Sequence, residues 1–186
     1  MAASASLFRP SRSVSTPPQI RLFLHSLTRT PPSPVAALLF IFRPLQIKTE
    51  KMQKLFDDLI GVMRSEQGVG ISACQVGVGL RVFVCEDDQS GIPLSVWINP
   101  KLSKSGNQTE AAMEACLSIP HYGAVVTRPT SVTVEGLDRD GKPATVNATG
   151  WHARILLHEL DHMDGKLFVD KMEPNSFTHE SSYSSA

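Results

Sequence analysis

The chain has 186 residues, 41% of them hydrophobic, and its 18 basic and 18 acidic side chains give a formal net charge of zero. That length and apolar content suit one folded domain and exclude a chain too polar to build a core. Three scattered cysteines exclude a disulfide framework and point to a reducing interior. The charge is unevenly placed. Residues 1–49 hold five arginines, one lysine, seven prolines and seven serines, and no acidic residue. Arg- and Ser-rich, acid-free composition is that of an organelle transit segment. Within it, Arg-Leu-Phe-Leu-His-Ser-Leu-Thr-Arg at 21–29 predicts a short basic amphipathic helix. The expected destination is the mitochondrial matrix, with the plastid as the alternative. The apolar run at 35–42 falls short of the roughly 20 residues that span a bilayer, so no membrane span is expected. It also lies late, behind several prolines and with no clear cleavage site after it, which argues against a secretory signal. From residue 50 on, 12 of the 18 basic residues face all 18 acidic ones with no basic stripe, so no direct nucleic-acid binding is expected.

In chain order, 50–66 reads as an amphipathic helix with Met52, Leu55, Phe56, Leu59, Ile60 and Met63 on its buried face; Gly68 and Gly70 follow and end it. Residues 80–85 and 94–98 are short β-rich runs, and Asn99-Pro100 closes the second with a turn signal. The runs at 131–135 and 144–147 flank Arg-Asp-Gly-Lys, whose Asp-Gly suits a tight hairpin. A second helix starts near Gly150, with Ile155, Leu156, Leu160 and Met163 as its apolar positions. The Ser-rich tail at 175–186 is expected to fray. The fold class is α+β, with short antiparallel β-sheets packed around a central helix that binds metal.

The metal reading comes from His-Glu-Leu-Asp-His at 158–162. Two histidines four apart share one helix face and can offer their nitrogens to one ion, with Glu159 beside them as a base. A third ligand is missing downstream. Gly165 fits the extended zinc-protease pattern, but Phe168 stands where that pattern needs histidine. Glu173 and Glu180 lie in or near the polar tail. The ligand must therefore come from upstream.

Upstream lie Gly-Val-Gly-Ile-Ser-Ala-Cys-Gln-Val-Gly at 68–77 and Glu-Ala-Cys-Leu-Ser-Ile-Pro at 114–120. With the histidine motif, these resemble the three ordered motifs of the peptide deformylase family: Gly-φ-Gly-φ-Ala-Ala-Pro-Gln-φ-Gly, Glu-Gly-Cys-Leu-Ser and Gln-His-Glu-φ-Asp-His-Leu. The resemblance runs from about residue 55 to 172 and includes Asn99-Pro100, Arg128, the turn at 138–141 and Gly165-Lys-Leu-Phe. It implies a catalytic domain at 50–174, behind a leader at 1–49 and ahead of a polar tail at 175–186. It further implies that Cys116, His158 and His162 bind one divalent metal ion, Fe2+ in the family with Zn2+ or Ni2+ able to substitute; the ligand types alone suggest zinc. Glu159 becomes the general acid/base. The Gln75 amide and the Leu117 backbone N–H face the developing oxyanion, where one donor is commonly worth about 10²–10³ in rate. Backbone at Val69 and Gly70 pairs with an extended peptide, and Val69, Trp151 and Ile155 line the pocket for its first side chain, usually methionine. Glu114 and Arg128 form an ion pair that supports the cysteine turn. The implied reaction removes the formyl group from N-formylmethionyl nascent peptides, with release of formate, and the organellar ribosome is a candidate partner.

Four residues depart from the family pattern: Leu157 for glutamine, Ala115 for glycine, Cys74 for proline and Ser72 for alanine. None removes a ligand or the base. The family's opening segment is not recognisable before Glu50, which predicts an unpaired strand edge. The alternative reading is a degenerate or truncated relative that binds metal or a partner without turnover. Among the remaining candidates, Cys85 reads as core and Cys74 as a neighbour of the site. Asp161 either orients a ligand histidine or solvates the helix, and His121 and His152 read as surface residues.

Overall fold

A computed structural model describes residues 47–185. The helix expected at 21–29 and the apolar run at 35–42 lie outside the described residues. Helix α1 (Glu50–Ser65) starts at Thr49, whose hydroxyl accepts the Met52 N–H at 3.4 Å. Its buried face is Met52, Phe56, Leu59, Ile60 and Met63, with Leu55 at the margin. The helix ends differently from expectation. The left-handed residue is Gln67 (φ 57°), and the N–H groups of Gln67 and Gly68 cap Arg64 O and Met63 O in a Schellman closure.

Strand β1 (Gly70–Ser72) leads through a single 3₁₀ turn (Ala73–Val76) to β2 (Val82–Asp87) and β3 (Ile92–Ser105). Next come β4 (Thr109–Cys116), β5 (Ile119–Pro129), β6 (Ser131–Leu137), β7 (Pro143–Thr149), helix α2 (Gly150–Met163) and a short β8 (Thr178–His179). All pairings are antiparallel, in a five-stranded sheet of order β1-β2-β3-β6-β7 and a three-stranded sheet of order β4-β5-β8.

The near-continuous apolar run of β2 is explained by burial on both faces. Val82 and Val84 pack with α1, while Phe83 and Cys85 pack with α2. Every residue of α2 from Ala153 to Met163 is buried, and the helix touches strands of both sheets. The β6–β7 turn is built as expected, with Gly141 at φ 77° and the Asp138 carboxylate accepting from Asp140 N and Lys142 N at 2.9 Å each.

Two local expectations are corrected. Asn99-Pro100 does not end its strand: β3 runs on to Ser105, absorbing Asn99 (φ 50°) as a register shift between Ile98 and Lys101. The tail is not unpaired throughout its described residues. Thr178 and His179 pair with Gly123 and Tyr122, so the tail adds an edge strand to β5.

Candidate metal centre

Three donors converge at the middle of α2. Sγ of Cys116 and one nitrogen each of His158 and His162 all lie within 4.8 Å of one another, and all three residues are buried. The two histidines arrive by helical spacing, with ring centroids 4.9 Å apart and nearly perpendicular. Cys116 arrives by a break in the β4–β5 ladder. The register runs regularly to Ala115↔Gly123, then jumps to Cys116↔Ile119 across the tight Leu117-Ser118 turn. That bulge swings the thiol onto the helix, 3.1 Å from His162 Nε2. Ala115 is not among the residues with positive φ, so its Cβ is compatible with this turn.

The donor set fits a divalent cation. Burial pushes the Cys116 thiol up, but His162 and then His158 outweigh it and hold the thiol well below its usual range. Burial likewise opposes charge on His158, but Cys116 and Glu114 prevail and raise it to about 10. The anions here thus stabilise positive charge at this point, which a soft cation bound by sulfur and imidazole would supply.

Behind the donors lies a buried ionic network. Glu114, on β4, accepts from His158 Nδ1 at 3.0 Å, which leaves Nε2 for a metal. The same carboxylate takes Arg128 through two bonds (2.6 and 2.8 Å) and Arg154 Nη1 at 2.8 Å. Burial works against its ionisation, yet Arg128 and His158 lower its pKa to about 2. Arg154 also donates to Val126 O and Glu110 O, and Arg128 continues to Asp161, which Lys171 reaches at 2.6 Å. The expected Glu114–Arg128 pair is therefore present. Asp161 is buried and does not merely solvate the helix; it anchors Arg128, which in turn holds the Glu114 carboxylate that accepts from His158.

Glu159 extends toward strand β1. Its Oε2 accepts the Ser72 hydroxyl at 2.6 Å. A Cβ on Gly70 would lie only 2.5 Å from its Oε1, so glycine is what lets the strand approach the carboxylate. Burial raises the Glu159 pKa, against the opposing pull of His162, His158 and the Ser72 hydrogen bond. Gln75 serves two ends: its Oε1 accepts Ser72 N at 2.8 Å, while Nε2 donates to Ser118 Oγ at 3.0 Å and reaches toward Cys116 Sγ at 3.5 Å.

The other predicted residues lie in the apolar packing of the fold. Val69 and Ile155 are buried in one apolar cluster, with Trp151 packed against it. The Leu117 side chain lies against Gly68. Of the other cysteines, Cys85 is buried on β2, as expected of core. Cys74 borders the site, its thiol donating to His162 O at 3.5 Å. Burial pushes both thiols up to about 12. Glu173 and Glu180 lie elsewhere, bonded to Thr127 and His121. Sequence reasoning missed Ser72 as a partner of Glu159, registering it only as a departure from alanine. It also missed Arg154 and Lys171, whose partners lie on other segments.

A family model described as polypeptide deformylase matches residues 33–177, beginning inside the stretch read as a leader. The chain is 45% identical over 148 residues to peptide deformylase 1A, chloroplastic, of Solanum lycopersicum, covering 71% of this chain and 53% of that protein. It is 44% identical over 150 residues to peptide deformylase 1A, chloroplastic/mitochondrial, of Arabidopsis thaliana, covering 72% and 56%. The chain thus spans about half the length of these two curated relatives. Among solved structures, a peptide deformylase from Legionella pneumophila superposes with a TM-score of 0.65 at 38% identity, covering 76% of this chain and 83% of that one. One from Synechococcus elongatus in complex with actinonin gives 0.68 at 32%, covering 74% and 73%.

Proposed function

Because this chain belongs to the polypeptide deformylase family, we propose that it hydrolyses the N-formyl group of formyl-methionyl nascent peptides and releases formate. The observation that carries this reading is the placement of Glu159. Its buried carboxylate, its pKa raised by burial, lies on the same helix as His158 and His162, which with Cys116 of β4 make up the donor set. A divalent ion held by these three residues would supply Lewis acidity to the formyl oxygen and to water. We assign Fe2+ to the site, with Zn2+ or Ni2+ able to replace it.

Glu159 takes a proton from the water that attacks the formyl carbon and delivers it to the amine nitrogen as the C–N bond breaks. Gln75 Nε2 turns from Ser118 to the developing oxyanion, and the Leu117 N–H is the second donor. Among the described residues strand β1 ends its sheet, so the backbone around Val69 and Gly70 can pair with an extended peptide. Val69, Trp151 and Ile155 then enclose its first side chain. In this reading 50–174 is the catalytic domain, 1–49 a leader and 175–186 a polar tail.

The acid-free leader supports delivery to an organelle, the mitochondrial matrix first and the plastid as the alternative. The names of the two plant relatives accord with an organelle. A fluorescent fusion of residues 1–45 distinguishes the two, and diffuse cytosolic signal would count against both. Encounter with substrate at the organellar ribosome is part of the proposal. The test of function is formate release from a formyl-Met peptide by purified protein loaded with Fe2+. Metal retention without formate would favour a non-catalytic relative.

A further inference from the structure

We propose that Asp87 is a specificity-determining residue, holding the Trp151 indole in place as a wall of the pocket for the first side chain of the peptide. The inference rests on the reading above that Val69, Trp151 and Ile155 form that pocket. Strand β2 ends in an irregularity, with a register shift against β3 between Cys85 and Asp87. Such a break re-aims side chains, and here two adjacent acids go to different helices. Glu86 binds Arg64 of α1 through two bonds of 2.7 and 2.8 Å. Asp87, only 7% exposed, accepts the Trp151 indole N–H of α2 at 3.0 Å.

The carboxylate is itself held. Ser90 Oγ donates to it at 2.7 Å and Gln89 N at 3.2 Å, both from the 3₁₀ turn Asp88–Ser90 that Gly91 closes in a left-handed conformation. One residue back, Glu86 N donates to Val69 O at 3.0 Å. The end of β2 therefore fixes two pocket residues at once: Val69 through its backbone and Trp151 through its indole. An indole bound to a carboxylate makes a charge-assisted hydrogen bond that resists rotation of the ring. Without it the half-buried ring swings and the pocket loses its defined depth. A long unbranched side chain depends on that depth more than a methyl does, because each methylene lodged in a fitted pocket is worth about 10-fold or more.

The test compares formyl-Met and formyl-Ala peptides on metal-loaded full chain. In the active protein, Asp87→Ala should reduce the Met-over-Ala ratio of kcat/KM about 10-fold, raising KM for the Met peptide more than it lowers kcat. Asp87→Asn, of the same shape, should fall between the two, because its carbonyl oxygen still accepts from the indole. The same comparison is made by binding in a Glu159→Ala background, titrating the indole N–H resonances assigned with Trp151→Phe. A parent that binds Met over Ala without releasing formate would refute the deformylase reading and leave this one standing. Equal losses for both peptides, or an unchanged ratio, would overturn the role of Asp87.

Discussion

Gly70→Ala is the sharpest test of how the site is packed. Gly70 is not among the glycines with positive φ, so alanine meets no backbone strain there and the effect is steric alone. The new Cβ would lie 2.5 Å from Glu159 Oε1, 3.0 Å from Cδ and 3.2 Å from Cγ. Ordinary contact needs roughly 3.5 Å, so the carboxylate must retreat by roughly 1 Å. Ser72, bonded to Oε2 at 2.6 Å, resists the move, and the buried stem leaves little room for another rotamer. A displacement of about 1 Å at a reacting group commonly costs about 10²-fold. The expected result is kcat for a formyl-Met peptide lowered about 100-fold, with metal content close to the parent's and a melting temperature lowered only modestly by the overpacking. These are read by formate release, metal analysis and thermal unfolding. A Gly70→Ala protein with its metal and kcat within twofold of the parent would refute the placement of Glu159 against β1.

Glu159→Ala should keep the metal and lose at least about 10²-fold in kcat, because the base goes and the ligands stay; substantial residual formate release would refute its role. Cobalt substituted into the site should show sulfur-to-metal charge-transfer absorption, which Cys116→Ala erases together with activity while Cys74→Ala and Cys85→Ala preserve both. Ser72→Ala removes a hydrogen bond to the Glu159 carboxylate and should lower kcat about 10-fold without loss of metal. Glu114→Ala leaves Arg128 and Arg154 buried without their shared anion and should cost about 3–5 kcal/mol in denaturant unfolding. Because the Glu114 pKa is lowered to about 2 in the folded state from an ordinary 4.5, its contribution is complete above 4.5 and fades as pH falls toward 2. The unfolding free energy of the parent should drop across that window, and Glu114→Gln should flatten the drop; an identical pH dependence in both would remove Glu114 from the account.

Where the signal is local, the sequence is a sufficient guide. The apolar period of α1, the Asp-Gly turn between β6 and β7 and the i, i+4 spacing of His158 and His162 each depend on a few neighbouring residues, whose conformation follows from the backbone geometry of one element. Ordered motifs carry the resemblance that connects Cys116 and Gln75 to the same centre. The structure brings them within 3.5 Å of each other, although 41 residues separate them. Several features needed the folded chain. β3 passes through Asn99-Pro100 because pairing with β2 on one side and β6 on the other outweighs a local turn preference. The tail is held because β5 offers it an open edge. Ser72 meets Glu159 across 87 residues, and Arg154 meets Glu114 across 40. No local pattern encodes such contacts, because their partners lie on separate elements whose mutual positions are fixed only when the faces of the sheet bury against α1 and α2.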